Sequence, residues 1–93
     1  MLKLKFYSDA GHGWIAVKLH TLYDLGIIEK ISPYSYIRGK TAYLEEDCDM
    51  STLMAELQNK SILYSITDKW CDRSPIRSYD RYNFNQAYLT LKG

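Results

Sequence analysis

Long apolar runs are missing from this chain: none approaches the ~18 residues that a membrane-spanning helix needs. No membrane partner is therefore expected. Neither charge is in excess, with 12 Lys and Arg against 11 Asp and Glu and a net charge of +1. Proteins that grip duplex nucleic acid usually carry a basic surplus. Duplex is thus not an expected partner, and the chain is not a wholesale acidic mimic of DNA. Cysteine is scarce too. Cys48 and Cys71 form no CxxC pair, and grouping them with His12 and His20 matches no zinc-ligand spacing. The opening residues Met1-Leu2-Lys3-Leu4-Lys5 alternate and lack the unbroken apolar segment of a signal peptide. A cytoplasmic address with reduced thiols is the expectation.

Tyrosine is plentiful, with nine residues against two Phe and two Trp. Its flat ring and polar tip suit half-buried sheet faces and binding surfaces alike. Ninety-three residues bound the chain to one domain, 1–93.

Leu2, Leu4 and Phe6 alternate with Lys3, Lys5 and Tyr7, which predicts a half-buried strand. A loop, Ser8 to Gly13, leads to a second extended run, Trp14 to Leu19, completing an antiparallel hairpin. Leu22 and Leu25 have helical spacing, and Gly26 suits the left-handed residue that ends a short helix. Tyr34–Arg38 and Thr41–Glu45 flank Gly39-Lys40, a type II′ hairpin signal that sets Tyr36 opposite Tyr43. Met50, Leu53, Met54 and Leu57 form the stripe of an amphipathic helix with Asp49 as its N-cap. Ser61–Thr67 reads as a fifth strand. From residue 68 to 93 the chain has no clean period and reads as an irregular C-terminal arm, with Tyr88–Leu91 as a short edge strand or loose tail. The expected fold is α+β: a mainly antiparallel sheet of about five strands, two helices on one face, in the order β-β-α-β-β-α-β.

Three clusters could carry chemistry. Glu45-Glu46-Asp47-Cys48-Asp49 packs four carboxyl groups into five residues. Hard divalent cations favour such oxygen donors, but a strand end and a helix cap account for the same residues. Arg73, Arg77 and Arg81 recur every four residues, with Arg38 as a fourth and Tyr79 and Tyr82 interleaved. Guanidinium forks grip phosphate and stack on rings, a pattern suited to a nucleotide or a single-stranded nucleic acid. The same arginines could instead pair with Glu45, Glu46, Asp72 or Asp80 inside the fold. Third, His12 stands between two glycines near Asp9 and Trp14, with no nucleophile pattern around it.

Several strings go further: Phe6-Tyr7-Ser8-Asp9 with Gly11-His12-Gly13-Trp14, then Ile31 to Gly39, Tyr43 to Asp49, and Arg73 to Tyr79. Over roughly residues 6 to 82 the chain resembles a family of small uncharacterised proteins of tailed bacteriophages and proteobacterial mobile elements. That resemblance implies a setting, an accessory protein in the bacterial host cytoplasm, and no activity. The leading expectation is a non-enzymatic binding protein without a cofactor, using Arg38, Arg73, Arg77, Tyr79 and Arg81. Its partner would be a host protein, as in anti-defence inhibition, or a phosphate-bearing small molecule. The alternative is a small metal-dependent phosphodiesterase or nuclease. There Glu45, Glu46 and Asp49 would hold the ion, His12 would act as base, so that His12, Glu45 and Glu46 make up the catalytic set, and the arginines would clamp phosphate.

Overall fold

The strand alternation predicted at the start of the chain organises the whole molecule. The computed structural model describes all of residues 1–93. Strands β1 (Leu2–Ser8) and β2 (Gly13–Lys18) pair antiparallel, with Phe6 opposite Ile15 and Tyr7 opposite Trp14. Helix α1 (Leu19–Asp24) follows without a break and ends where Gly26 adopts φ +76°. Strands β3 (Tyr36–Arg38) and β4 (Thr41–Glu45) form the expected hairpin, with Tyr36 opposite Tyr43 and Gly39 at φ +58°. Helix α2 (Met50–Asn59) leads to β5 (Tyr64–Trp70), then a single 3₁₀ turn (Pro75–Ser78), β6 (Asp80–Arg81) and helix α3 (Phe84–Lys92).

The sheet has six strands in the order β5-β1-β2-β4-β3-β6. Four of its five pairings are antiparallel, and β1 with β5 is parallel. The parallel pair arises because α2 carries the chain from β4 over β2 and β1, which returns it in its starting direction. The fifth strand thus runs Tyr64–Trp70 instead of Ser61–Thr67, and every one of its residues is exposed.

One face of the sheet is apolar. Leu4, Ile15, Val17, Ala42, Leu44 and Ile37 come from alternate positions of four strands and join Leu19, Leu22, Leu53, Leu57 and Ala87 of the three helices in one core. Burial of this set supplies the main driving force for folding, at about 25 cal/mol per Å² of apolar surface.

The irregular arm expected over 68–93 is instead ordered structure. Asn83 caps α3, its Oδ1 accepting from the Gln86 N–H at 3.1 Å. Ala87 and Leu91, four residues apart, turn toward the core. Tyr88–Leu91 is therefore helical, and neither an edge strand nor a loose tail. The strand propensity of Tyr, Thr and Leu is overridden by this packing.

Asp49 is a second correction. It stands at the start of α2 but makes no side-chain cap, and its own backbone is helical. Its carboxyl group is buried and accepts from the Ser32 hydroxyl at 2.7 Å, the Ser32 N–H at 3.1 Å and the Ser35 hydroxyl at 2.5 Å. The Ser35 hydroxyl accepts from the Glu45 N–H, and the Ser35 carbonyl from the Tyr82 N–H. Tyr82 in turn donates its hydroxyl to the Ile28 carbonyl at 2.6 Å. This buried network ties the 28–35 loop to α2, β4 and the chain just after β6.

Candidate functional site

Every second residue of the same strands faces away from the helices. The pairing registers set them in transverse rows. One runs Lys69, Tyr7, Trp14, Glu45, and the next runs Thr67, Lys5, Ala16, Tyr43, Tyr36, Arg81. A third holds Ser65 beside Lys3, and Thr41 beside both Lys18 and Arg38. No helix covers this open face. Glu45 is the one carboxyl group in these rows, against Lys3, Lys5, Lys18, Arg38, Lys69 and Arg81.

Residues 71–79 cross the open face as a strap. They must join β5 at one edge to β6 at the other, about 24 Å away at five strand spacings. Ile76 is buried beneath the strap, and its recess with Tyr7, Tyr43, Trp70 and Tyr79 shows where the strap meets the sheet. Ser74 opens the 3₁₀ turn by accepting from the Ile76 N–H, and Pro75 sets its first dihedral.

The strap brings the predicted arginines onto aromatic rings. Arg38 lies over Tyr79 at 4.8 Å, Arg81 over Tyr36 at 4.9 Å and Arg77 over Trp14 at 5.9 Å. Tyr79 packs on Tyr43 at 5.2 Å between centroids, and Tyr43 meets Tyr7 edge-on. Burial and the neighbouring Tyr79 and Tyr7 hydroxyls push the Tyr43 hydroxyl above its ordinary value, with Arg38 acting in opposition.

The arginines and the acidic cluster do not form ion pairs. Arg77 alone is in a salt bridge, and its partner is Asp9 at 3.2 Å, outside the cluster. Arg77 also meets His12 Nδ1. The Gly11 N–H holds the Asp9 carboxyl below the usual carboxylate range, with the His12 N–H and Arg77 adding to it. The internal pairing of the arginines with Glu45, Glu46, Asp72 or Asp80 is absent.

Two recesses flank the strap. His12, Trp14, Tyr34, Tyr36, Glu45, Arg77 and Arg81 line one of about 240 Å³. His12 stacks on Trp14 there, and the buried Trp14 indole N–H has no partner within the protein. Lys3, Lys5, Tyr7, Lys18, Thr41 and Tyr43 line another of about 210 Å³, next to the small Ala16. Arg73 stands apart from Arg38 and Arg81, in a charge-balanced hollow with Asp9, Asp72 and Arg77.

The predicted carboxyl set is dispersed. Glu45 faces the arginine recess, Glu46 Oε1 lies near Gly13 and Phe6 on the helix side, and Asp49 is buried among serines. No group of three His, Cys, Asp or Glu side chains stands where it could share a metal ion. The lysines are the part of the surface that sequence reasoning passed over. Their signal was present in the alternation of Lys3 and Lys5 with Leu2 and Leu4. Comparison with protein-family models, curated proteins and solved structures returns no match to this chain. Nor is any helix long and apolar enough to cross a membrane.

Proposed function

We propose that this chain is a non-enzymatic binding protein whose arginine- and tyrosine-lined sheet face holds a phosphate-bearing ligand or an acidic surface of a host protein. One observation carries the reading. Arg38, Arg77 and Arg81 are each oriented by an aromatic ring on the same side of the sheet, and two of the three have no carboxylate partner. Guanidinium groups held by stacking keep their donors free for phosphate or carboxylate. The phage-family resemblance extends the proposal to an accessory role against host defence or metabolism, in bacterial cytoplasm. The test is Arg77→Ala with Arg81→Ala, scored by native mass spectrometry of protein recovered from a bacterial host. Retention of a ligand or host polypeptide by the parent and its loss from the folded variant is the expected result. Equal retention by both would remove this surface from the proposal.

A phosphodiesterase or nuclease reading keeps one favourable observation: His12, Glu45, Arg77 and Arg81 share a recess. A bound Mg²⁺ or Mn²⁺ would raise the melting temperature by mass action. A flat response across millimolar metal would end that reading.

A further inference from the structure

We propose that the open sheet face is a platform for single-stranded nucleic acid, with the lysine recess as its principal phosphate site. This rests on the phosphate-binding reading above and names its ligand class. Lys3, Lys5 and Lys18 converge on the recess, and no carboxyl group lines it. Arg38, adjacent to Thr41, continues the positive surface, and Arg81 ends it at the far edge. The chain's net charge of +1 conceals this concentration, because the carboxyl groups lie elsewhere.

The shape of the surface selects the ligand. The two recesses hold about 210 and 240 Å³. Sites that enclose a small molecule usually span about 300–1,000 Å³. These two are too small to engulf a mononucleotide. The one hollow of that size, about 480 Å³, has Asp9 and Asp72 facing Arg73 and Arg77 and so carries no net positive charge. Shallow cationic hollows spread across a sheet suit a repeating phosphate backbone. From β1 to β6 the face spans four strand spacings, about 19 Å. That width suits about four nucleotides, the lower end for sheet-based single-strand platforms. Rings for base stacking accompany the charge. Tyr34 is 64% exposed beside Arg77 and Arg81, while Tyr7, Tyr36, Tyr43 and Tyr79 are half-buried. An unstacked base can lie on Tyr34, whose ring is open, whereas Tyr36, Tyr43 and Tyr79 already pack against Arg81, each other or Arg38 and serve to hold the cations in place. The paired bases of a duplex cannot reach such a ring.

The experiment is fluorescence anisotropy with labelled dT12 and rU12. A 12-base-pair duplex, ATP and polyglutamate of matched charge serve as comparators. The expected result is preferential binding of the single strands. With about four phosphates neutralised, the salt slope should be about −3, an affinity loss of about 50-fold between 50 and 200 mM salt. Lys3→Glu with Lys18→Glu should weaken dT12 by at least about 10-fold while circular dichroism stays unchanged. Lys3→Ala with Lys18→Ala should do the same more weakly, and Tyr34→Ala should cost about 10-fold through lost stacking. Unchanged dT12 affinity in the folded lysine variants would overturn the inference. So would polyglutamate binding as tightly as dT12, which would make an acidic protein the occupant. ATP binding that depends on Arg77 and Arg81, without dT12 binding, would overturn this inference and leave the broader phosphate-binding reading standing. Binding of none of the probes would also overturn it, while host-polypeptide capture would still decide the broader reading separately.

Discussion

On β2, Ile15 and Val17 point into the helix-covered core, while Trp14, Ala16 and Lys18 point to the open face. The two faces come from alternate residues of the same strands, yet they are filled differently. The helix side is closed by aliphatic contact and by the buried Asp49 network. The open side is closed only where the strap lies, and the rest presents exposed cations and half-exposed rings. Hydrophobic burial, together with that satisfied polar network, accounts for the first face. It does not explain the second, where seven cations gather on a nearly neutral chain. A face that neither closes the fold nor neutralises itself is where an external anion would gain most.

Substitutions can break that contrast. Leu44→Ala, at a fully buried position, should cost about 3 kcal/mol in urea unfolding. Asp49→Asn should cost about 2 kcal/mol, because Ser32 and Ser35 lose part of a charge-assisted acceptor. A cost near zero would show that the helix side does not depend on this network.

Tyr82→Phe should cost about 1 kcal/mol by leaving the Ile28 carbonyl without its donor. It should also change the pH profile. Burial first, and then the Asp49 charge, raises the Tyr82 hydroxyl well above its ordinary value of 10.0. A group whose folded pKa is raised stabilises fully below its unfolded value and loses that contribution as pH climbs through the folded one. Stability should therefore decline above about pH 10, and the decline should be shallower in Tyr82→Phe. Denaturant titrations between pH 8 and 11 would measure both slopes.

Open-face changes should sit at the small end. Lys3→Ala and Lys18→Ala should each shift stability by less than about 0.5 kcal/mol. Arg77→Ala should cost about 1 kcal/mol, since the Arg77 side chain is about half exposed while its partner Asp9 is only 6% exposed and keeps the Gly11 and His12 N–H donors when the cation is removed. Ser61→Gly should stabilise by about 0.5 kcal/mol, because Ser61 holds φ +52° at the end of α2. A large loss from the lysine variants would mean that the open face is structural, and the contrast would fail.

Much of the fold was legible. The β1/β2 hairpin, the β3/β4 hairpin with its register and the α2 stripe all rest on local signals: period two, a Gly at the turn and period 3.6. The C-terminal third was not. Its elements are short, and β6 has two residues whose status depends on pairing with β3. Legibility of the site was mixed. Arg38, Arg77, Tyr79 and Arg81 do gather on one side, whereas Arg73 stands apart and Glu45, Glu46 and Asp49 scatter to three surroundings. Carboxyl groups adjacent in sequence look like a cluster, but alternation along an extended chain sends neighbours to opposite faces.

By itself, then, the sequence determined which residues alternate and where the chain turns, since those depend on dihedral preference and on neighbours a few positions away. Tertiary structure alone decided three things. It set β5 parallel beside β1, drew the 71–79 strap across the open face, and turned Asp49 inward to Ser32 and Ser35. Each depends on contacts between segments distant in the chain, whose energies are settled only when all the layers pack together.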